Sequence, residues 1–211
     1  MVNKMTEKYK KLTWIIENNG FKIDCNLDVF VSPANNKTVF MTIPGVDGSI
    51  DGYENKYKRI TENMQNESGF AIARMANPYI SSLYWDSNIR EMLEYLLSNK
   101  KEITGSDDIE IHIMSHSAGA AVIAQIAWEY PEITRLLLVN TAFGLRPERI
   151  LKGIESFSGQ INFVFGSKDP SVGWTENLKE KYNVRVIDGA DHNFSDEYLE
   201  TFIGLPSIDT K

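Results

Sequence analysis

One segment of this 211-residue chain admits few folds: Ile111-His112-Ile113-Met114-Ser115-His116-Ser117-Ala118-Gly119-Ala120-Ala121 reads as a buried strand that turns abruptly into a helix of small residues. The pattern G-x-S-x-G needs such a junction, because the residues two before and two after the serine must be small for strand and helix to approach. Ser115 and Gly119 fill those places here, with Ser115 standing where glycine is usual. Read alone, five residues of this kind also fit an ordinary strand-turn-helix with Ser117 facing solvent. The apolar strand before Ser117, and Ala118, Gly119, Ala120, Ala121 and Ala124 after it, are what close packing requires.

The rest of the chain repeats the alternation. Apolar runs bounded by turn residues predict strands at Phe21 to Val31, Thr38 to Ile43, Phe70 to Met75, Ile109 to Met114, Arg135 to Asn140, Ile161 to Phe165 and Val184 to Ile187. Helical periodicity between them predicts helices at Tyr53 to Gln65, Asp86 to Lys100, Ala118 to Glu129, Glu148 to Phe157, Thr175 to Tyr182 and Asp196 to Ile203, with Asp86 and Ser195 as N-caps. A leading helix, Glu7 to Asn18, closes at Gly20 with a stripe of Leu12, Ile15 and Ile16, and the basic stretch Lys4 to Lys11 is its solvated face. The expected class is α/β: a mostly parallel central sheet with helices on both faces. A length of 211 residues suits one well-buried core, so residues 1–211 are read as a single domain.

Composition narrows the function. A formal net charge of -7 and a pI near 5.1 argue against nucleic acid as a partner, which would require clustered Lys and Arg. Cys25 is the only cysteine, so no internal disulfide and no cysteine-based metal cluster can form, and a reducing compartment fits. The N-terminus lacks an apolar signal core, and runs such as Leu136 to Val139 are too short to span a bilayer. The expectation is a cytoplasmic protein with no membrane partner.

A serine hydroxyl becomes a nucleophile only with a base in hydrogen-bond reach, and that base needs an acceptor to fix its tautomer. Of the three histidines, His112 lies inside a strand, and His116 precedes Ser117 so that its side chain points elsewhere. His192 remains, in the loop Gly189-Ala190-Asp191-His192 after the last strand, where open α/β sheets gather functional groups. Asp169, just past the strand ending Phe163-Val164-Phe165-Gly166, lies on the same sheet edge. Asp191, Asp188 and Asp196 are its rivals, and a plain turn Asp before Pro170 is the alternative. For a developing oxyanion the amides of Ala118 and Val46 are expected donors, with Gly45 letting the backbone come close. Asp47 is left open between contacting substrate and capping the next helix.

Ser115-His116-Ser117-Ala118-Gly119, Gly166-Ser167-Lys168-Asp169 and Gly189-Ala190-Asp191-His192, in the order Ser, Asp, His, together resemble the α/β-hydrolase superfamily from about Phe21 to Ile203. The resemblance implies the α/β-hydrolase fold and a metal-free, cofactor-free hydrolysis of a small-molecule ester or thioester. The stretch Phe143 to Gln160, where many relatives carry a helical lid, is short, which implies no sizeable lid and an open site. Around such a site His116, Phe143 and Trp174 are expected to touch substrate; Tyr79, Tyr84 and Trp85, like Phe143 and Trp174, fall in loops or helix starts placed to ring it, with simple packing the alternative for each aromatic. A thioesterase, an acyltransferase or a catalytically silent hydrolase-fold binder remain alternatives. A nucleotide-binding domain is disfavoured, since no Gly-rich phosphate loop opens a helix after the first strand. Natural substrate and oligomeric state are not readable from these motifs.

Overall fold

In the computed structural model, which describes residues 8–209, eight strands form one sheet. They are β1 (Lys8–Asn18), β2 (Phe21–Ser32), β3 (Thr38–Ile43), β4 (Ala71–Met75), β5 (Glu110–His116), β6 (Ile133–Val139), β7 (Gln160–Gly166) and β8 (Asn183–Ile187). Their order across the sheet is β1-β2-β4-β3-β5-β6-β7-β8. The β1/β2 and β2/β4 pairs are antiparallel, and every pair from β4/β3 to β7/β8 is parallel. The helices are α1 (Lys56–Ser68), α2 (Ser87–Ser98), α3 (Lys100–Thr104), α4 (Ser117–Ile126), α5 (Pro147–Ser156), α6 (Thr175–Leu178) and α7 (Leu199–Asp209).

The parallel strands read as near-continuous apolar runs because both of their faces are buried. Val39, Met41 and Ile43 of β3 enter the larger core, while Phe40 between them enters the smaller one on the opposite face. Leu136 and Leu138 alternate with Leu137 and Val139 in β6 in the same way, as strand geometry demands. Helix α1 buries Tyr57, Ile60, Thr61 and Met64, a single helical stripe, and packs beside α7 over the smaller core. Helix α2 buries Ile89, Met92, Leu93 and Leu96 against the larger one. In α4, small residues let the helix lie close to both sheet and neighbour: a side chain at Gly153 of α5 would collide with the Ala124 carbonyl. Only α5 intervenes as a helix between β6 and β7, so no large lid covers that edge.

The leading segment corrects the helical expectation. Lys8 to Asn18 is a strand, and Asn18 pairs directly with Phe21 across an Asn19-Gly20 turn. Both turn residues have positive φ, 48° and 84°, which is the two-residue hairpin geometry that Asn-Gly favours. Burial along β1 alternates residue by residue, with Leu12, Trp14 and Ile16 leaning inward and Ile15 exposed. The β-branched and aromatic run Thr13-Trp14-Ile15-Ile16 suits that period of two better than a helix. Residues 4–7, part of the expected basic face, and Glu7 of the expected helix lie outside the described residues.

Asp86 and Ser195 do stand at N-cap positions, before α2 and before the short helical turn that leads into α7, but neither side chain caps an amide there. The Asp86 carboxylate accepts instead from Arg90 Nε at 2.7 Å one turn along. Among the described residues no helix is long and apolar enough to cross a membrane.

Candidate active site

Strand β5 runs into α4 at Ser117, whose φ is 57°, a left-handed conformation rare for a residue with a side chain. Strain of this kind persists only where the surroundings hold it. Two neighbours do so. Gly119 is required because a Cβ there would strike the Pro44 carbonyl and come within 2.9 Å of Ile43 Cγ2. Ser115, the departure from glycine, uses its hydroxyl: Oγ donates to the Ile43 carbonyl of β3 at 3.1 Å and is fully buried. The substitution therefore ties the turn to the adjacent strand.

His192 Nε2 lies 2.8 Å from Ser117 Oγ, and His192 Nδ1 meets Asp169 Oδ2 in a short hydrogen bond. Asp169 is 2% exposed; its other oxygen accepts from the Ser171 amide at 2.6 Å, which pins the carboxylate at the end of β7. Two of the three rival acids are occupied elsewhere. Asp191 Oδ1 accepts from the amides of Asn193 and Ser195, and Asp188 accepts from Ser167 Oγ.

The His192 loop is held through its own backbone. Asn140, at the end of β6 and completely buried, donates through Nδ2 to the carbonyls of Asp191 (3.1 Å) and His192 (2.8 Å) and accepts from the Gly166 amide through Oδ1. His116 Nε2 donates to the same His192 carbonyl at 2.7 Å. Burial, followed by the nearby Lys56 charge, pushes His116 down to about 3, so its ring stays neutral at ordinary pH. His116 thus supports the loop of His192, and its ring also borders the cavity beside Ser117.

On the opposite side, the Pro44–Gly48 loop is braced by Asn77, whose carbonyl accepts from the Asp47 amide at 2.8 Å and whose Nδ2 donates to the Pro44 carbonyl. A Cβ on Gly45 would sit 3.2 Å from Ser117 Cβ, so glycine allows the close approach there. Among the described residues the Val46 amide makes no hydrogen bond. Ala118, second in α4, carries one of the amides a helix leaves without an internal acceptor. Val46 borders the cavity that Ser117 lines and also the apolar cavity beside it, and Ala118 borders the apolar one. Asp47 does not cap the next helix: its Oδ1 accepts from the Tyr79 amide at 2.9 Å.

Two cavities meet at Val46. One, of about 450 Å³, is mainly apolar and is lined by Pro78, Tyr79, Ile80, Trp85, Val122 and Leu145, together with Ala118. Arg146 closes part of it, 4.9 Å over the Trp85 ring and donating to the Ser82 carbonyl. The other, of about 350 Å³, is bordered by Gly45, Lys56, Tyr57, Ser117 and His192. Phe143 and Trp174, expected at the substrate, line neither. Phe143 is wholly buried and stacked on Trp174 with ring centroids 4.6 Å apart, so the pair is core packing. Tyr84 is likewise absent from both walls, and His112 packs edge-on against Phe70. Among the described residues no group of three or more His, Cys, Asp or Glu side chains is arranged to hold a metal ion.

Asn140, Asn77 and Lys56 were not among the sequence candidates. Asparagine at a strand end carries no motif, and the sole local signal at residue 140 is its place at the carboxyl edge of the sheet.

No family model matches the chain, and no curated protein sequence matches it. Its structure is similar to Est1E from Butyrivibrio proteoclasticus, with a TM-score of 0.69, 17% identity, and 94% of this chain and 97% of the other covered. It is also similar to an esterase from Pyrococcus furiosus, with a TM-score of 0.68, 12% identity, and coverage of 99% and 91%. A thioesterase domain from the curacin biosynthetic pathway gives a TM-score of 0.62 at 10% identity, covering 96% of this chain and all (100%) of that one.

Proposed function

The chain has the α/β-hydrolase fold, and from that premise we propose that it is a serine hydrolase cleaving carboxylic esters through an acyl-enzyme, with no metal or cofactor. The observation that carries the reading is the 2.8 Å contact between His192 Nε2 and Ser117 Oγ, with Asp169 behind the ring. As Oγ attacks the carbonyl carbon, His192 takes its proton, and Asp169 stabilises the imidazolium while holding Nδ1–H. The carbonyl oxygen becomes an oxyanion that accepts from the amides of Val46 and Ala118. Collapse breaks the C–O bond to the leaving group, whose oxygen receives the proton from His192. Water then attacks the acyl-serine with His192 again as base, releasing the acid and restoring Ser117.

The departing oxygen must lie within reach of His192, so the leaving group occupies the side of the site that His192 borders. The mainly apolar cavity that Ala118 borders then takes the acyl chain. A reducing, cytoplasmic setting suits the lone buried Cys25. Thioester hydrolysis or acyl transfer by the same groups is a second reading, favoured by the likeness to the curacin thioesterase domain.

The test is hydrolysis of short 4-nitrophenyl esters by the purified protein and its loss in Ser117→Ala. A wild-type protein inert toward esters and thioesters alike would instead be a hydrolase-fold binder.

A further inference from the structure

The cavity bordered by Ser117 and His192 contains a second chemical group that the proposed mechanism does not use. Lys56, the first residue of α1, stands in its wall yet is only 6% exposed. Its ammonium donates to the Asn193 carbonyl at 3.3 Å and lies 4.4 Å over the Phe202 ring and 5.4 Å from that of Tyr57. These contacts involve neutral partners, and they leave donors on Nζ unspent, since an ammonium carries about three. Among the described residues no carboxylate forms an ion pair with Lys56, and neither Asp nor Glu lines the cavity. That is notable in a chain with 29 acidic residues against 22 basic ones. The acid that acts on Lys56 is Asp191, whose carboxylate is already engaged by backbone amides. Burial holds Lys56 down at about 8, as for a cation whose lost hydration is not repaid by a counter-ion.

Position decides which part of a substrate meets this cation. His192 and Lys56 border the same cavity, and His192 must protonate the leaving oxygen; the larger apolar cavity borders neither. Resting on the hydrolase reading, we infer that the cavity at Lys56 binds the leaving alcohol and that Lys56 recognises an oxyanion on it, a carboxylate or a phosphate. The substrate class is then an ester joining an apolar acyl group to an anionic alcohol. Recognition of this kind is charge-assisted and screened from water, where such bonds are strong.

Three butyrate esters test it: those of 3-hydroxybenzoate, of methyl 3-hydroxybenzoate and of 3-hydroxyphenyl phosphate. The carboxylate is intrinsically a poorer leaving group than its methyl ester, so a preference for it cannot come from reactivity. The wild type is expected to cleave at least one anionic ester with kcat/KM about tenfold or more above the neutral one, a difference typical of one charge-assisted contact. Which anion is preferred separates carboxylate from phosphate recognition. In Lys56→Met and Lys56→Gln, each checked for folding by circular dichroism, the ratio is expected to fall toward one whatever the absolute rates. Equal rates on all three esters in the wild type, or a ratio that survives in the variants, overturns the proposal while leaving the hydrolase reading intact. A uniform loss on all esters with the ratio unchanged also overturns it, since Lys56 would then only brace Asn193. Failure to cleave any of the three by a protein that still forms a fluorophosphonate adduct on Ser117 sinks the Lys56 assignment alone; failure with no adduct removes both.

Discussion

The side-chain amide of Asn140 donates to the main-chain carbonyl of His192 at 2.8 Å. Through the same amide group Asn140 also holds the Asp191 carbonyl and the Gly166 amide, so one buried side chain joins the ends of β6, β7 and the loop after β8. Asn140 therefore helps to set the separation of His192 from Asp169, which follows β7, together with His116 on the same His192 carbonyl and the Lys168 amide on the Ala190 carbonyl. Its backbone φ of 45° is one that asparagine tolerates better than most residues.

Asn140→Gly keeps that backbone geometry and deletes the three hydrogen bonds. The expected result is a fall in kcat of about 10- to 100-fold with KM changed little, and a loss of about 1–3 kcal/mol in stability from the carbonyls and amide left unpaired. Steady-state kinetics on a 4-nitrophenyl ester and urea unfolding measure the two. An unchanged kcat would mean that His192 is positioned without Asn140.

Asp169→Asn and His192→Ala are expected to lower kcat by about 10⁴-fold or more, since each removes part of a unit that acts together. Asp191→Asn, which only loosens two loop amides, and Asp188→Asn are expected to stay within about tenfold of wild type. A larger loss in either of these than in Asp169→Asn would reassign the acid.

The turn at Ser117 makes a packing prediction. Gly119→Ala drives a methyl group into the Pro44 carbonyl and should abolish activity or folding, because backbone must shift to admit it. Ser115→Gly, which restores the usual residue, loses the bond to the Ile43 carbonyl and should cost about 0.5–1.5 kcal/mol with the turn preserved. Thermal unfolding of the two variants separates these outcomes.

Acid should destabilise the fold through His116. Its pKa is pushed down to about 3 in the folded chain, against 6.5 ordinarily, so between those values the unfolded chain binds a proton that the folded chain refuses. Stability therefore falls as pH drops through this window, by at most about 1.4 kcal/mol per pH unit from this group, and is fully present above pH 6.5. Urea midpoints at pH 7.5 and 5 should diverge less in His116→Gln than in wild type; equal divergence would remove His116 as the source.

Much of this was legible in the residues. Strand β3 spans Thr38–Ile43 as its apolar run predicts, and the small residues around Ser117 announced the tight strand-to-helix turn. Residues 8–18 were misread because Leu12, Ile15 and Ile16 satisfy a helical spacing as well as a strand. The Asn19-Gly20 pair was the signal that resolves them. Phe143 looked like a site residue from its place after β6, yet whether an aromatic at a loop faces substrate or core depends on its stacking partner, here Trp174 from another segment. Asn140 and Lys56 act through contacts some fifty (52) and well over a hundred (137) residues away in sequence, which no local pattern encodes.

The central claim is that Ser117 is activated as a nucleophile by His192. Intact-protein and peptide mass spectrometry after treatment with a fluorophosphonate measures this directly. One phosphonyl adduct on Ser117 is expected in the wild type, none in Ser117→Ala, and strongly slowed formation in His192→Ala. A wild-type protein left unmodified, or modified at another residue, would contradict the account.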